Sequence, residues 1–218
     1  MKNAYHHKDL RQQLIKSGLR LLTREGLASF SMRKLAQELE VSHTAAYRHF
    51  SSKEELLAAI FLETSNGFKQ ALAGSIQPGC DGQEALVQLG LAYVHFFLEN
   101  PEALSLFSVL PEDQNALASL FSAMDPASPL ANQMIEVGCH ADCGNMEDLP
   151  VDSAFGIFRG MVQAICNSEA YRHLSEREVL LGFWSKVHGL ATLLVTQKKF
   201  LKPEDMDASI ERIMRTAF

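Results

Sequence analysis

At 218 residues, 47% of them hydrophobic, the chain can bury a sizeable core as one domain or two small ones, and its formal net charge of −6 excludes a uniformly basic protein. No stretch reaches the ~18 apolar residues that cross a bilayer, since even LGFWSKVHGLATLLV is broken by Lys186 and His188. The opening run MKNAYHHKDLRQQ has no apolar signal core, and four irregularly spaced cysteines do not suggest a disulfide framework, so the expected compartment is the cytoplasm.

In chain order almost every segment carries the period of a helix. From Asp9, Leu10, Leu14, Ile15, Leu19, Leu21 and Leu22 recur at three and four, and Gly26 ends the run. Ser31 is placed to cap a short second helix, MRKLAQEL, that buries Met32, Leu35, Ala36 and Leu39. Ser42 caps a third, His43 to His49. SSKEELLAAIFLETSNGFKQAL then opens with serines and acidic residues in its first turn, which suits the helix dipole, and continues for about five turns.

Gly74 to Gly82 is a loop, and a helix over about 83–99 ends before Pro101, which can open the next. Two or three short helices are expected between 101 and 138, then a loop containing GCHADCGNMEDLP. Two long apolar helices follow, about 151–172 and 176–198, and Pro203 starts a last one to about 217. No strand alternation, repeat or low-complexity run is present. The expected fold class is all-α.

Charge is uneven along this order. Residues 1–55 hold ten Lys and Arg against six Asp and Glu, a balance of +4, and the remainder carries −10. Such asymmetry suits one end that meets a polyanion, and equally a solvated basic face. The second and third helices with the short connection at Glu40-Val41 form a helix-turn-helix pattern. On the third, Ala46 and Phe50 share an inward face, while His43, Thr44, Tyr47 and Arg48 fall on the other with Ala45 beside them. Donors, an aromatic hydroxyl and a cation around a helix N-terminus are what a recognition helix in a major groove needs. Periodicity alone fits an ordinary helical hairpin with a polar outer face as well.

The run FSMRKLAQELEVSHTAAYRHFSSKEELLAAI, Phe30 to Ile60, resembles the DNA-binding signature of TetR-family transcriptional regulators. Further on, FWSKVHGLATLL resembles the C-terminal domain of the subgroup named for a Trp-His-Gly motif, here spread as Trp184, His188 and Gly189. The resemblance implies a DNA-binding head over 8–54, with the helix-turn-helix at about 31–50, and a ligand-binding and dimerisation domain over 55–218. It implies base-reading roles for Arg33, His43 and Thr44 and phosphate-facing ones for Ser31, Tyr47, His49 and Lys53, with Ser42 and Arg48 beside them. It also implies a homodimer on a palindromic operator and repression released by a small effector. At the turn position that the family usually fills with glycine, this chain has Glu40.

Phe96, Phe97, Phe107, Met124, Met134, Phe155, Phe158 and Met161 are the candidates to line a pocket for a small, mainly hydrophobic effector; each could equally be core. Val179, Leu180, Phe183, Val187, Leu190 and Leu194, with Ile210, Ile213 and Met214, make more apolar surface than one small layer needs and are expected at a dimer interface. Cys139, His140, Asp142 and Cys143 have the chemistry of a zinc or redox set but lack a second ligand pair, and incidental loop residues fit better. No metal or other cofactor is expected. His95 reads as a satisfied core or pocket histidine. No nucleophile elbow, phosphate-cradling glycine loop or helical His-Glu metal pair appears, so an enzyme is the weaker alternative, beside a helical module that binds protein.

Overall fold

The computed structural model describes residues 6–107, 133, 153–197 and 202–216. Among them are nine α-helices and one short 3-10 turn, and no strand. The helices are α1 His6–Ser29, α2 Met32–Glu38, α3 His43–Tyr47, α4 Lys53–Ser75, α5 Gly82–Glu99, α6 Pro101–Phe107, α7 Ala154–Ile165, α8 Glu176–Thr196 and α9 Met206–Arg215. Two compact units divide the chain: Met1–Thr64 with Ser105–Asp148, and Ser65–Leu104 with Leu149–Phe218. The expected boundary at 54/55 falls at the start of α4, whereas the division runs inside that helix, which supplies residues to both units.

In the first unit α1 packs on α2, and α2 on α3. Leu14, Ile15, Leu21, Leu35, Ala46, Phe50, Leu56 and Ile60 are its buried centre, as their three-and-four spacing requires. Gly18 has no side chain where Ile60 arrives; a Cβ there would lie 2.7 Å from Ile60 Cδ1. Gly26 breaks α1 at φ 76°, ψ 169°, a backbone reserved for glycine, and one further turn carries the chain to Phe30.

In the second unit α5 is the central helix, packed by α7, α8 and α9. Asp81 caps α5 through the Glu84 amide at 2.8 Å. Ser175 and Glu178 close a reciprocal capping box at the start of α8, and the Ser175 hydroxyl bond holds the Glu178 carboxyl below its ordinary value. The expected helix over 151–172 stops at Ile165. There Cys166 turns out of the helix, and Ser168, Arg172 and Leu174 make turn bonds while Tyr171 is buried. The apolar pattern alone extends the helix across what is a folded turn.

Helix α8 is, by length and composition, apolar enough to cross a membrane. Its capping box and its buried side chains Val179, Leu180, Phe183, Val187, Ala191 and Leu194 make it a core helix of this unit. Val179, Phe183, Val187, Leu194, Ile210 and Met214, expected at a dimer interface, are all buried within a single chain, on two helices that both pack against α5. Of the residues expected at an interface, only Leu190 and Ile213 keep partial exposure.

Candidate nucleic-acid interface

The α2–α3 connection is built by backbone hydrogen bonds. Val41 N–H donates to the Ala36 carbonyl at 2.9 Å and Glu40 N–H to the Gln37 carbonyl at 3.1 Å, with Leu39 as the last half-helical residue. These two bonds define a Schellman closure, which requires its first residue past the cap in the left-handed region. Glu40 is there, at φ 54°, the one non-glycine residue with positive φ among those described. The departure from glycine therefore leaves the turn geometry intact and places strain on a glutamate.

The chain then launches α3. Ser42 is its N-cap, and the hydroxyl accepts the Ala45 N–H at 3.1 Å. Ala46 and Phe50 point inward and are fully buried. Ser42, His43, Thr44, Tyr47 and Arg48 are exposed, as is Arg33 on α2. The His43 and Tyr47 rings pack at 4.6 Å, so the two side chains present one surface. His49 is half-buried, and Ala45, expected on the outer face, packs against the core cluster. Ser31 holds the N-cap position of α2 in extended backbone, but its hydroxyl makes no capping bond.

Lys53 sits at the first turn of α4. Its ammonium donates to the Leu27 carbonyl at 3.0 Å and lies 5.8 Å from the centre of the Phe30 ring. This ties the start of α4 to the end of α1, a contact no spacing in the sequence announces. Ser52 caps α4 through the Glu55 amide at 3.1 Å, and Glu55 in turn accepts from the Ser51 N–H at 2.5 Å and hydroxyl at 2.6 Å. A second cation, also absent from the sequence reading, lies over an aromatic ring. The Arg11 guanidinium carbon is 5.1 Å from the Phe50 ring centre.

Ion pairing sorts the charges of this unit. Lys34 pairs with Glu25 at 2.6 Å, and Arg24 pairs with Glu25 and Glu38. The Lys34 bond holds the Glu25 carboxyl below its ordinary value, and the Glu38 bond raises the Arg24 guanidinium above its own. These exposed pairs contribute little stability, but they neutralise the α1–α2 surface on which they lie. Arg11, Lys16, Arg33, Arg48 and Lys53 make no ion pair among the described residues. The unit therefore keeps uncompensated cations on the elements that carry the outward polar side chains.

The second unit holds an aromatic cluster around Tyr93. Phe68, Phe97, Phe158 and Trp184 surround its ring with centroids between 5.1 and 5.8 Å, and its hydroxyl lies 3.0 Å from His188 Nδ1. Trp184 and His188 stack within 10° of parallel. Burial raises the Tyr93 hydroxyl well above its ordinary value and lowers the His188 imidazole below its own. Of the expected pocket residues, Phe97 and Phe158 are core, while Phe96, Phe155 and Met161 are half-buried. The Phe107 side chain, Met124, Met134 and the Cys139, His140, Asp142 and Cys143 group lie outside the described residues. His95 Nε2 meets Asp207 Oδ1 at 2.9 Å between α5 and α9. Among the described residues no three His, Cys, Asp or Glu side chains converge where a metal could sit.

Residues 14–60 match the model for bacterial regulatory proteins of the tetR family, and residues 86–217 match the tetracyclin repressor-like C-terminal domain. Over 76 residues the chain is 38% identical to a nicotine-responsive transcriptional repressor, HdnoR, of Paenarthrobacter nicotinovorans, covering 35% of this chain and 37% of that one. Over 97 residues it is 33% identical to an uncharacterised HTH-type transcriptional regulator of Haemophilus influenzae, covering 44% and 52%. The match thus spans about half or less of these relatives' length. Among solved structures, a tetR-family regulatory protein of Rhodococcus RHA1 superposes with a TM-score of 0.61 at 17% identity over 95% of this chain and 96% of the other. FadR of Bacillus subtilis, solved with stearoyl-CoA, gives 0.60 at 13% identity over 95% and 98%. These likenesses carry the fold. With both halves matched, one by its helix-turn-helix and the other over its helical domain, the chain belongs to the TetR family of bacterial transcriptional regulators.

Proposed function

We propose that the chain is a ligand-responsive repressor that binds a palindromic operator as a homodimer in the cytoplasm. DNA-binding transcriptional regulation, and not catalysis, is the activity of its family. The observation that carries the reading is the surface of α2 and α3, where a strained but closed turn projects His43, Thr44, Tyr47 and Arg48 to solvent and α2 exposes Arg33, beside uncompensated charge. In this reading His43, Thr44 and Arg33 read base edges. Ser31, Ser42, Tyr47, Arg48, His49 and Lys53 face phosphates, and the Ser31 hydroxyl, making no cap, is available for that contact.

The effector enters the second unit, at the half-buried aromatic side chains around Trp184, and is small and mainly hydrophobic. A nicotine-responsive relative and a structural neighbour solved with stearoyl-CoA are consistent with that class of ligand. Half-sites one helical turn apart demand recognition helices about 34–36 Å apart. An effector that binds better when the two heads are mis-spaced releases the DNA by linkage, and α4, shared by both units, is the connector.

Selection of binding duplexes from a random-sequence pool, followed by anisotropy across a salt series, tests this. A self-complementary consensus and a steep fall of affinity with salt are expected. Failure to enrich any duplex refutes the reading.

A further inference from the structure

We propose that Arg11 is a DNA-backbone anchor of this protein, a phosphate clamp held ready at the far end of the recognition segment; this rests on the DNA-binding reading above. Phe30 and Phe50 bracket α2 and α3, and each ring holds one cation from outside the bracket: Lys53 from α4 on Phe30, Arg11 from α1 on Phe50. The two cations differ in what their donors meet. Lys53 gives one N–H to the Leu27 carbonyl. Arg11 has five N–H donors and meets neither a carboxylate nor a carbonyl among the described residues, although the side chain is exposed.

Contact with the ring orients the guanidinium without satisfying its hydrogen bonds. A planar fork fixed in this way is pre-organised for bidentate contact with a phosphate. Phe50 lies two residues past Arg48, which ends α3, so the fork stands beside the C-terminal end of the recognition segment. Base-reading groups cluster at the N-terminal end of such a helix, and phosphate contacts flank them. Arg24 at the other end of α1 and Lys34 on α2 are, by contrast, neutralised by Glu25 and Glu38. Arg11 also lies ahead of the family match, which begins at residue 14.

The test uses the full chain and a duplex enriched by the wild-type protein from a random-sequence pool. Arg11→Ala is expected to weaken binding roughly three- to tenfold and to lower the slope of log affinity against log salt by about 1.8, about 0.9 for each of the two Arg11 contacts of a homodimer, with no change in base preference. Arg11→Lys, which keeps the charge, should restore the slope. Arg11→Gln, which removes the charge but keeps a stem on Phe50, carries the same comparison should the alanine variant fold poorly. A purely structural Arg11 would lower melting temperature and leave the slope at the wild-type value, and an unchanged slope in both neutral variants overturns the assignment. If the wild-type chain enriches no duplex, it is the DNA-binding reading that fails, so the two failures are distinguishable.

Discussion

The hydroxyl of Tyr93 on α5 and Nδ1 of His188 on α8 are 3.0 Å apart inside an aromatic cluster, a neutral pair joining two helices of the second unit. Burial keeps the imidazole below its ordinary value of 6.5, so the unfolded chain takes up the proton at a higher pH than the folded one. Stability from this group is therefore complete well above pH 6.5 and falls as pH drops through 6.5 toward the folded value. Melting temperature should fall between about pH 7.5 and 5.5, and His188→Gln should make that fall shallower. Tyr93→Phe should cost about 1–2 kcal/mol in urea titration by orphaning the imidazole nitrogen. An identical pH profile in His188→Gln would remove His188 as a source of the dependence.

Two glycines in helices should respond oppositely to alanine. A Cβ on Gly90 would lie 2.9 Å from both Cγ and Sδ of Met214, a fully buried side chain that fills the space glycine leaves between α5 and α9. Gly90→Ala should destabilise by about 1–3 kcal/mol, less what it gains in helix propensity. Gly160, exposed on α7, has nothing within 4 Å of the same position. Gly160→Ala should stabilise by about 0.5–1 kcal/mol. Denaturant midpoints of the two variants give the signs directly.

The proposed homodimer has to use what a single chain leaves uncovered. Among the described residues, the large apolar side chains that α8 leaves exposed are Leu181 and Leu193, 61% and 49% exposed. Leu193→Glu should shift a dimer toward monomer in analytical ultracentrifugation while leaving the single-chain fold within about 0.5 kcal/mol. A Leu193→Glu protein that sediments as an undisturbed dimer would place the interface away from this part of α8.

The residues that sequence reasoning placed well are those whose signals are local. Ser42 caps α3 because the serine and the Ala45 amide are three positions apart, and Ala46 and Phe50 are buried because helical period puts them on one side. Ser31 shows the limit of even a local signal, since its residue type predicts a cap that its side chain does not make. Periodicity also says that one side of α8 is apolar without saying what covers it. Val179, Phe183 and Val187 are expected at a dimer interface, and within one chain they are already buried on a helix that packs against α5. The Arg11–Phe50 and Lys53–Leu27 contacts join different helices, and nothing in either neighbourhood marks them.

The turn before α3 offers the most direct test of how the candidate interface is held. Glu40 stands at φ 54°, fixed by the two bonds to Ala36 and Gln37 that close α2. An L-residue in that region costs about 1–2 kcal/mol through its Cβ, and glycine avoids the clash but adds about 0.4–1 kcal/mol of unfolded-chain entropy. The difference favours glycine, so Glu40→Gly should stabilise the fold by roughly 0.5–1 kcal/mol. The carboxylate is exposed, so removing it loses no packing. It does remove a negative charge two residues before Ser42, and affinity for DNA should rise modestly while base preference stays as it was. Thermal melts of the variant and wild type at one pH decide the sign. A loss of stability would mean that Glu40 repays its strain through a contact formed only in solution, and that the orientation of His43 and Thr44 depends on more than the backbone closure.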